Sequence, residues 1–169
     1  MILDIVKYGN PILSRRAEHI SDFGGPLDKL VDDMFETMYA ASGVGLAAAQ
    51  VGISTQLFVM DCSDATRKTT KIALINPIIE LEEGEQIDSE GCLSLPGFSF
   101  EITRPEHVIV RGNDVNGTDI RLEVVGLEAR CVVHEIHHLE GKLLVSLVSP
   151  LKRDIIERRI KRLNREGRW

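Results

Sequence analysis

The segment His134-Glu135-Ile136-His137-His138 constrains this chain more than any other. Side chains four residues apart on a helix project from one face, a little over a turn apart. The flanks, Cys131-Val132-Val133 and Leu139, are apolar, so the helix reads as one that packs into a core. A His-Glu-His set in such surroundings is costly unless something satisfies its polar groups. Two neutral imidazoles on adjacent turns can hold one metal ion. Glu135, directly after the first histidine, is then placed to take a proton from an activated water without being a ligand itself. The bland alternative is a surface helix with an incidental His-Glu pair, which the apolar flanks oppose. His137, three residues after His134, also has same-face spacing and stands as a rival ligand. The HExxH geometry favours His138 and leaves His137 beside the ligands or on the surface.

Catalytic centres of the zinc type take three protein ligands and keep one position for water. Downstream of His138 there is no further histidine; Glu140 is too close, and Glu157 and Glu166 lie in a basic segment. Upstream, Glu90-Gly91-Cys92-Leu93-Ser94-Leu95-Pro96-Gly97 offers a cysteine beside a glycine. A thiolate is a strong ligand for a soft or borderline metal. Spacing alone does not decide between that role and a small buried hydrophobe, which is the first reading of Cys62 and Cys131. A second segment, Gly43-Val44-Gly45-Leu46-Ala47-Ala48-Ala49-Gln50-Val51-Gly52, lets the backbone approach a ligand or another element. It lacks the lysine of a phosphate loop, and a tight helix-to-strand turn is its favoured reading. Gln50 is its one polar side chain, with an amide able to donate to a developing oxyanion.

The rest of the chain supplies a frame for these segments. Gly24-Gly25-Pro26 opens a helix with Leu27, Leu30, Val31, Met34, Phe35, Met38 and Tyr39 at helical spacing, ended by Ser42-Gly43. Short β-branched runs at 57–60, 72–75 and 107–110 read as strands. Asn116-Gly117 signals a hairpin between 108–111 and 120–124. Helical spacing returns over 127–139, stopped by Gly141. Ser149-Pro150 caps a last helix with apolar Leu151, Ile155, Ile156, Ile160 and Leu163. The expected class is α+β: antiparallel or mixed sheets around a central metal-binding helix, followed by a C-terminal helix. At 169 residues the chain fits one domain, residues 1–169, with 149–166 as its basic C-terminal helix.

Charge and cysteine usage narrow the partners. The net charge of -6 argues against a DNA-binding protein. Yet Lys152–Arg168 holds eight Lys and Arg against three Asp and Glu, a basic stretch on an acidic body and a candidate attachment point for a polyanion. Three cysteines, an odd number, oppose a disulfide scaffold and point to a reducing compartment. No apolar run approaches the roughly 18 residues of a membrane span. The expected location is the cytoplasm, with no membrane partner.

Taken together, Gly43–Gln50, Glu90–Ser94 and His134–His138, in this order and spacing, resemble the three signature segments of the peptide deformylase family. The resemblance runs from Ile5-Val6-Lys7-Tyr8-Gly9-Asn10-Pro11-Ile12-Leu13 to Ser149-Pro150-Leu151-Lys152. It implies removal of the N-formyl group from the initiator methionine of nascent bacterial polypeptides. By it, Cys92 joins His134 and His138 as metal ligand, and Glu135 is general base and then acid. Gln50 and the Leu93 backbone N–H would hold the oxyanion. Gly45 would align the substrate backbone, and Val44, Leu127 and Cys131 would lie around the methionine side chain. The metal implied is Fe(II), with zinc, nickel or cobalt able to substitute, and the basic last helix resembles a ribosome-docking extension. A non-catalytic paralogue that binds metal or the ribosome is the alternative. The chain departs from the family pattern in three places: Val133 stands for the usual Gln, His137 for the usual Asp, and the segment after Cys92 lacks the arginine found near Ser99 in many bacterial members. The usual Asp can pair with an arginine matching Arg104, so the pair is expected to be lost, or repulsive when His137 is charged.

Overall fold

Helix α2, Gly126–Leu139, buries ten of its fourteen residues, so it is a core helix and not a surface one. The computed structural model that shows this describes residues 1–69 and 71–169. Its elements in order are α1 (Gly25–Ala40), β1 (Gly45–Ala47), β2 (Leu57–Met60), β3 (Ile72–Glu83), β4 (Gln86–Gly91), β5 (Ser99–Arg104), β6 (His107–Asn113), β7 (Asp119–Val125), α2 and α3 (Pro150–Arg165). A short 3₁₀ turn, Ala48–Val51, follows β1. The strands form a five-stranded sheet in the order β1-β2-β3-β6-β7 and a separate β4-β5 ribbon. All these pairs are antiparallel. The α+β class around a central helix is as expected from the sequence.

Strand β2 explains how the sheet sits. All four of its residues are apolar and buried, and successive side chains of a strand point to opposite faces. Phe58 and Met60 pack with Val132, Val133 and Ile136 of α2. Leu57 and Val59 pack with Val31, Met34, Phe35 and Met38 of α1. The sheet thus lies between the two helices, and the four-residue apolar run is the record of being covered on both sides. A third cluster joins Leu95, Phe100 and Ile102 to Ile156 and Ile160 of α3.

Strand β3 is longer than the run at 72–75 suggests. Asn76 has φ 50°, and the β3–β6 register shifts between Ile75 and Ile78. This bulge admits Pro77 into a strand that continues to Glu83. The Asn76 side chain accepts from Ile20 N at 2.9 Å and donates to Ile20 O at 2.8 Å, so the kink is held from outside the sheet. Helix α2 stops at Gly141 (φ 75°), where an added Cβ would meet Ser14 O at 2.7 Å. In α3, Ser149 accepts from Lys152 N at 3.3 Å as the cap. Only Ile156 and Ile160 of its apolar positions are buried; Leu151 and Ile155 stay 72% and 58% exposed, a narrower stripe than the spacing suggested. Among the described residues no helix is long and apolar enough to cross a membrane.

Candidate metal centre

Two elements far apart in sequence build the site. Helix α2 presents His134 and His138, both buried, from one face. The turn after β4 presents Cys92. One ligand atom from each of the three lies within 4.8 Å of the others. His138 Nε2 is 3.2 Å from His134 Nε2 and 3.3 Å from Cys92 Sγ. Atoms about 2.0–2.3 Å from a shared tetrahedral metal stand roughly 3.3–3.6 Å apart, so the set is already close to coordination spacing. His137 is not part of it.

Glu90 sets the orientation of His134. It lies on the inward face of β4, opposite Phe100 of β5. Its Oε2 is 2.8 Å from His134 Nδ1, which makes Nδ1 the protonated nitrogen and turns the Nε2 lone pair toward Cys92 and His138. Two buried arginines neutralise Glu90. Arg104 donates to it twice, at 3.1 and 2.7 Å, and Arg130 once at 3.0 Å. Burial would push this carboxyl up, but the hydrogen bonds from His134 and Arg104 more than offset it and hold it at about 2.

The remaining electrostatics ask for a cation. Burial pushes His138 down, and the neighbouring His134 charge adds to that, so His138 is a neutral donor. Burial opposes charge on His134, yet the Cys92 sulfur and the Glu90 carboxylate pull it up to about 10. Cys92, His134 and His138 would hold a divalent cation, whose charge would stand in for that proton. The donor set, one sulfur and two imidazoles, fits a borderline transition metal.

Beside these three side chains sits Glu135, 3% exposed. Its Oε2 has no hydrogen-bond partner among the described residues. Burial raises its carboxyl to about 7 despite the opposing His134 charge, the range in which a general base works best. Gln50 approaches from the 3₁₀ turn. Ala47 N–H donates to its Oε1 at 2.9 Å, which fixes the amide flip. Its Nε2 therefore faces Ser94 Oγ at 3.2 Å and Cys92 Sγ at 3.6 Å.

A cleft of about 480 Å³ is lined by Gln50, Leu93, Cys92, His134 and Glu135 together with Val44, Gly45, Leu127 and Cys131. Every site residue expected from the sequence except the buried His138 is on this wall. Val44 and Leu127 are 43% and 40% exposed at the mouth, and Cys131 is buried. An added Cβ at Gly45 would meet Glu135 Oε1 at 2.5 Å and Cys131 Sγ at 2.7 Å, so the glycine is the space Glu135 occupies. Cys62 and Cys131 are buried free thiols, as read from the sequence.

Sequence reasoning gave no role to Glu90, Arg130 or Ser94. Arg130 was detectable: it lies four residues before His134, a charged side chain on a face otherwise bound for the core. The expected fate of His137 needs correction. It does not lose Arg104; Arg104 Nη1 is 3.0 Å from His137 Nδ1. Burial and the adjacent Arg104 charge push His137 down to about 4, so a neutral imidazole accepts from the guanidinium.

Residues 2–154 match the model of the family described as polypeptide deformylase. The peptide deformylase of Thermodesulfovibrio yellowstonii is 50% identical over 160 residues, 95% of this chain and 97% of that protein. That of Acidobacterium capsulatum is 46% identical over 169 residues, 100% of this chain and 99% of that one. The crystal structure of peptide deformylase from Ehrlichia chaffeensis superposes with a TM-score of 0.93 at 34% identity, covering 99% of both chains. The chain belongs to the polypeptide deformylase family.

Proposed function

We propose that residues 1–169 form one catalytic domain that removes the N-formyl group from N-terminal formyl-methionine of nascent polypeptides and releases formate. The observation that carries this reading is the meeting of Cys92, His134 and His138 within 4.8 Å, beside a buried Glu135 held near 7. The three ligands hold one divalent ion, Fe(II) in the native protein with zinc, nickel or cobalt able to substitute. When bound, the ion supplies a Lewis acid that activates water and polarises the formyl carbonyl.

The chain's own groups do the rest. Glu135 accepts the proton of the attacking water and returns it to the departing amine. Gln50 Nε2 and the Leu93 N–H donate to the carbonyl oxygen as charge builds on it. Gly45 aligns the substrate backbone and keeps Glu135 in reach. Val44, Leu127 and Cys131 form the apolar seat of the methionine side chain. The non-catalytic alternative requires at least one of these groups to be displaced or missing, and all of them line or adjoin one cleft.

Chelator-stripped protein reloaded with Fe(II), zinc, nickel or cobalt and given formyl-Met-Ala-Ser tests the reading. Formate release is expected, fastest with Fe(II), and no cleavage of unformylated Met-Ala-Ser. Release of amino acids from the unformylated peptide, without formate, contradicts it.

The reading includes a cytoplasmic location, supported by three free thiols, and ribosome contact through α3. The exposed Arg158, Lys161, Arg162 and Arg165 supply the charge. Because Ile156 and Ile160 are core residues, neutralising those four residues to Gln is a cleaner test than deleting the helix. Loss of co-sedimentation with ribosomes at low salt is expected; unchanged co-sedimentation contradicts it.

A further inference from the structure

The extended segment ahead of α1 grips the cleft from behind. Val6 N–H donates to Gln50 O at 2.8 Å, and Tyr8 N–H donates to Ser94 O at 2.8 Å. Ser94 is fully buried, and its Oγ accepts from Gln50 Nε2 at 3.2 Å. Residues 6–8 therefore hold both the backbone of Gln50 and the residue that aims its amide.

Tyr8 is itself held by the far end of the chain. Its hydroxyl donates to Glu157 Oε1 of α3 at 2.9 Å. Its carbonyl accepts from Trp169 Nε1 at 3.0 Å. Trp169 stands edge-on to Phe98, ring centroids 6.0 Å apart, and Phe98 lines the cleft. The other two acidic residues of this stretch, Asp154 and Glu166, pair with arginines of the same stretch. Glu157 turns inward to Tyr8.

We propose that Tyr8 is a positioning residue for the Gln50 amide, and that Glu157 and Trp169 are the clasp that holds it there. The last helix then acts on the chemistry of the cleft as well as on the surface. This rests on the oxyanion role given to Gln50 above. A donor has to sit where charge develops in the transition state, so slack in the clasp costs turnover more than substrate binding.

The test combines Tyr8→Phe, which deletes the hydroxyl, with Trp169→Phe, which deletes the indole N–H but keeps a ring on Phe98. Steady-state formate release is measured per metal-loaded protein in the wild-type and Gln50→Ala backgrounds. The paired substitution is expected to lower kcat about 5-fold with KM within about 2-fold, and each single substitution to give part of that fall. In the Gln50→Ala background the same pair is expected to change kcat by less than about 1.5-fold, because the group it positions is gone. An equal fall in both backgrounds makes the clasp a general structural brace and overturns the proposal. So does a kcat within about 1.5-fold of wild type, or a change confined to KM. If Gln50→Ala alone matches wild type, the oxyanion role fails and the clasp falls with it. A wild type that releases no formate removes the deformylase reading and this proposal together.

Discussion

Arg104 Nη1 lies 3.0 Å from His137 Nδ1, a charge-to-neutral hydrogen bond at a site where contact between the two was expected to be lost or repulsive. The other guanidinium nitrogens of Arg104 are spent on Glu90. His137 is therefore the acceptor for an arginine that is 3% exposed. Replacing His137 by Ala leaves Nη1 without a partner in the core and is expected to cost about 1–3 kcal/mol. The proton balance gives a second readout. The folded-state value, about 4, lies below the ordinary 6.5. The unfolded chain thus binds the proton first, and stability present above 6.5 is lost as pH falls toward 4. In His137→Asn, which keeps an acceptor without a titrating ring, denaturant unfolding across that range is expected to show a shallower pH dependence. An unchanged slope contradicts the assignment.

Glu90 carries more of the site than its single negative charge suggests, because three buried cationic or donor groups converge on it. Removing one member of a buried charge cluster typically costs about 3–5 kcal/mol. Loss of a carboxylate that orients a ligating histidine typically weakens metal binding about 10–100-fold. Glu90→Gln is expected to show both, read by chemical denaturation and by metal retention against a competing chelator. Its stability should also lack the wild-type loss as pH falls from 4.5 toward about 2, since a depressed carboxyl stabilises only while ionised. Retained stability with normal metal affinity would show that Glu90 neither supports the core nor orients His134.

Gly45→Ala separates metal binding from catalysis. The new Cβ would contest the positions of Glu135 Oε1 and Cys131 Sγ, neither of which is a ligand atom. We expect normal metal content with kcat lowered by about 10-fold or more, as the base is pushed off its working position. Loss of metal in this variant, or full activity, contradicts that division.

Glu135 also predicts the acid limb of the pH profile. Burial raises its carboxyl to about 7, and a general base acts only when ionised. With a divalent cation nearby favouring the ionised form, kcat/KM should rise with pH through a value at or below about 7. A rise centred above 8 would assign the limb to another group.

The legible parts of this chain were those whose periodicity or chemistry is local. The two histidines and Glu135 share one helix, so their spacing alone placed them together. The apolar run Leu57–Met60 announced a strand, and the structure buries all four of its residues. Strand β4, Gln-Ile-Asp-Ser-Glu-Gly, was not legible, because its one buried residue is Glu90; a strand that turns a carboxylate inward has no hydrophobic alternation to read. Strand β5 did alternate, with Phe100, Ile102 and Arg104 buried, but an inward arginine breaks the same rule. Both failures have one cause, the buried charge cluster behind His134. The clasp on Tyr8 joins residues 149 and 161 positions apart, and no local pattern encodes such contacts.

In the proposed reaction Glu135 and the Cys92-His134-His138 set together hydrolyse a formyl amide. The decisive assay incubates anaerobically purified, Fe(II)-loaded protein with formyl-Met-Ala-Ser and measures formate for wild type and Glu135→Ala. Formate is expected from the wild type, with a rate lower by about 10²–10⁴-fold in the variant, at equal metal content. No formate from the wild type, or equal rates from the two proteins, would contradict this mechanism.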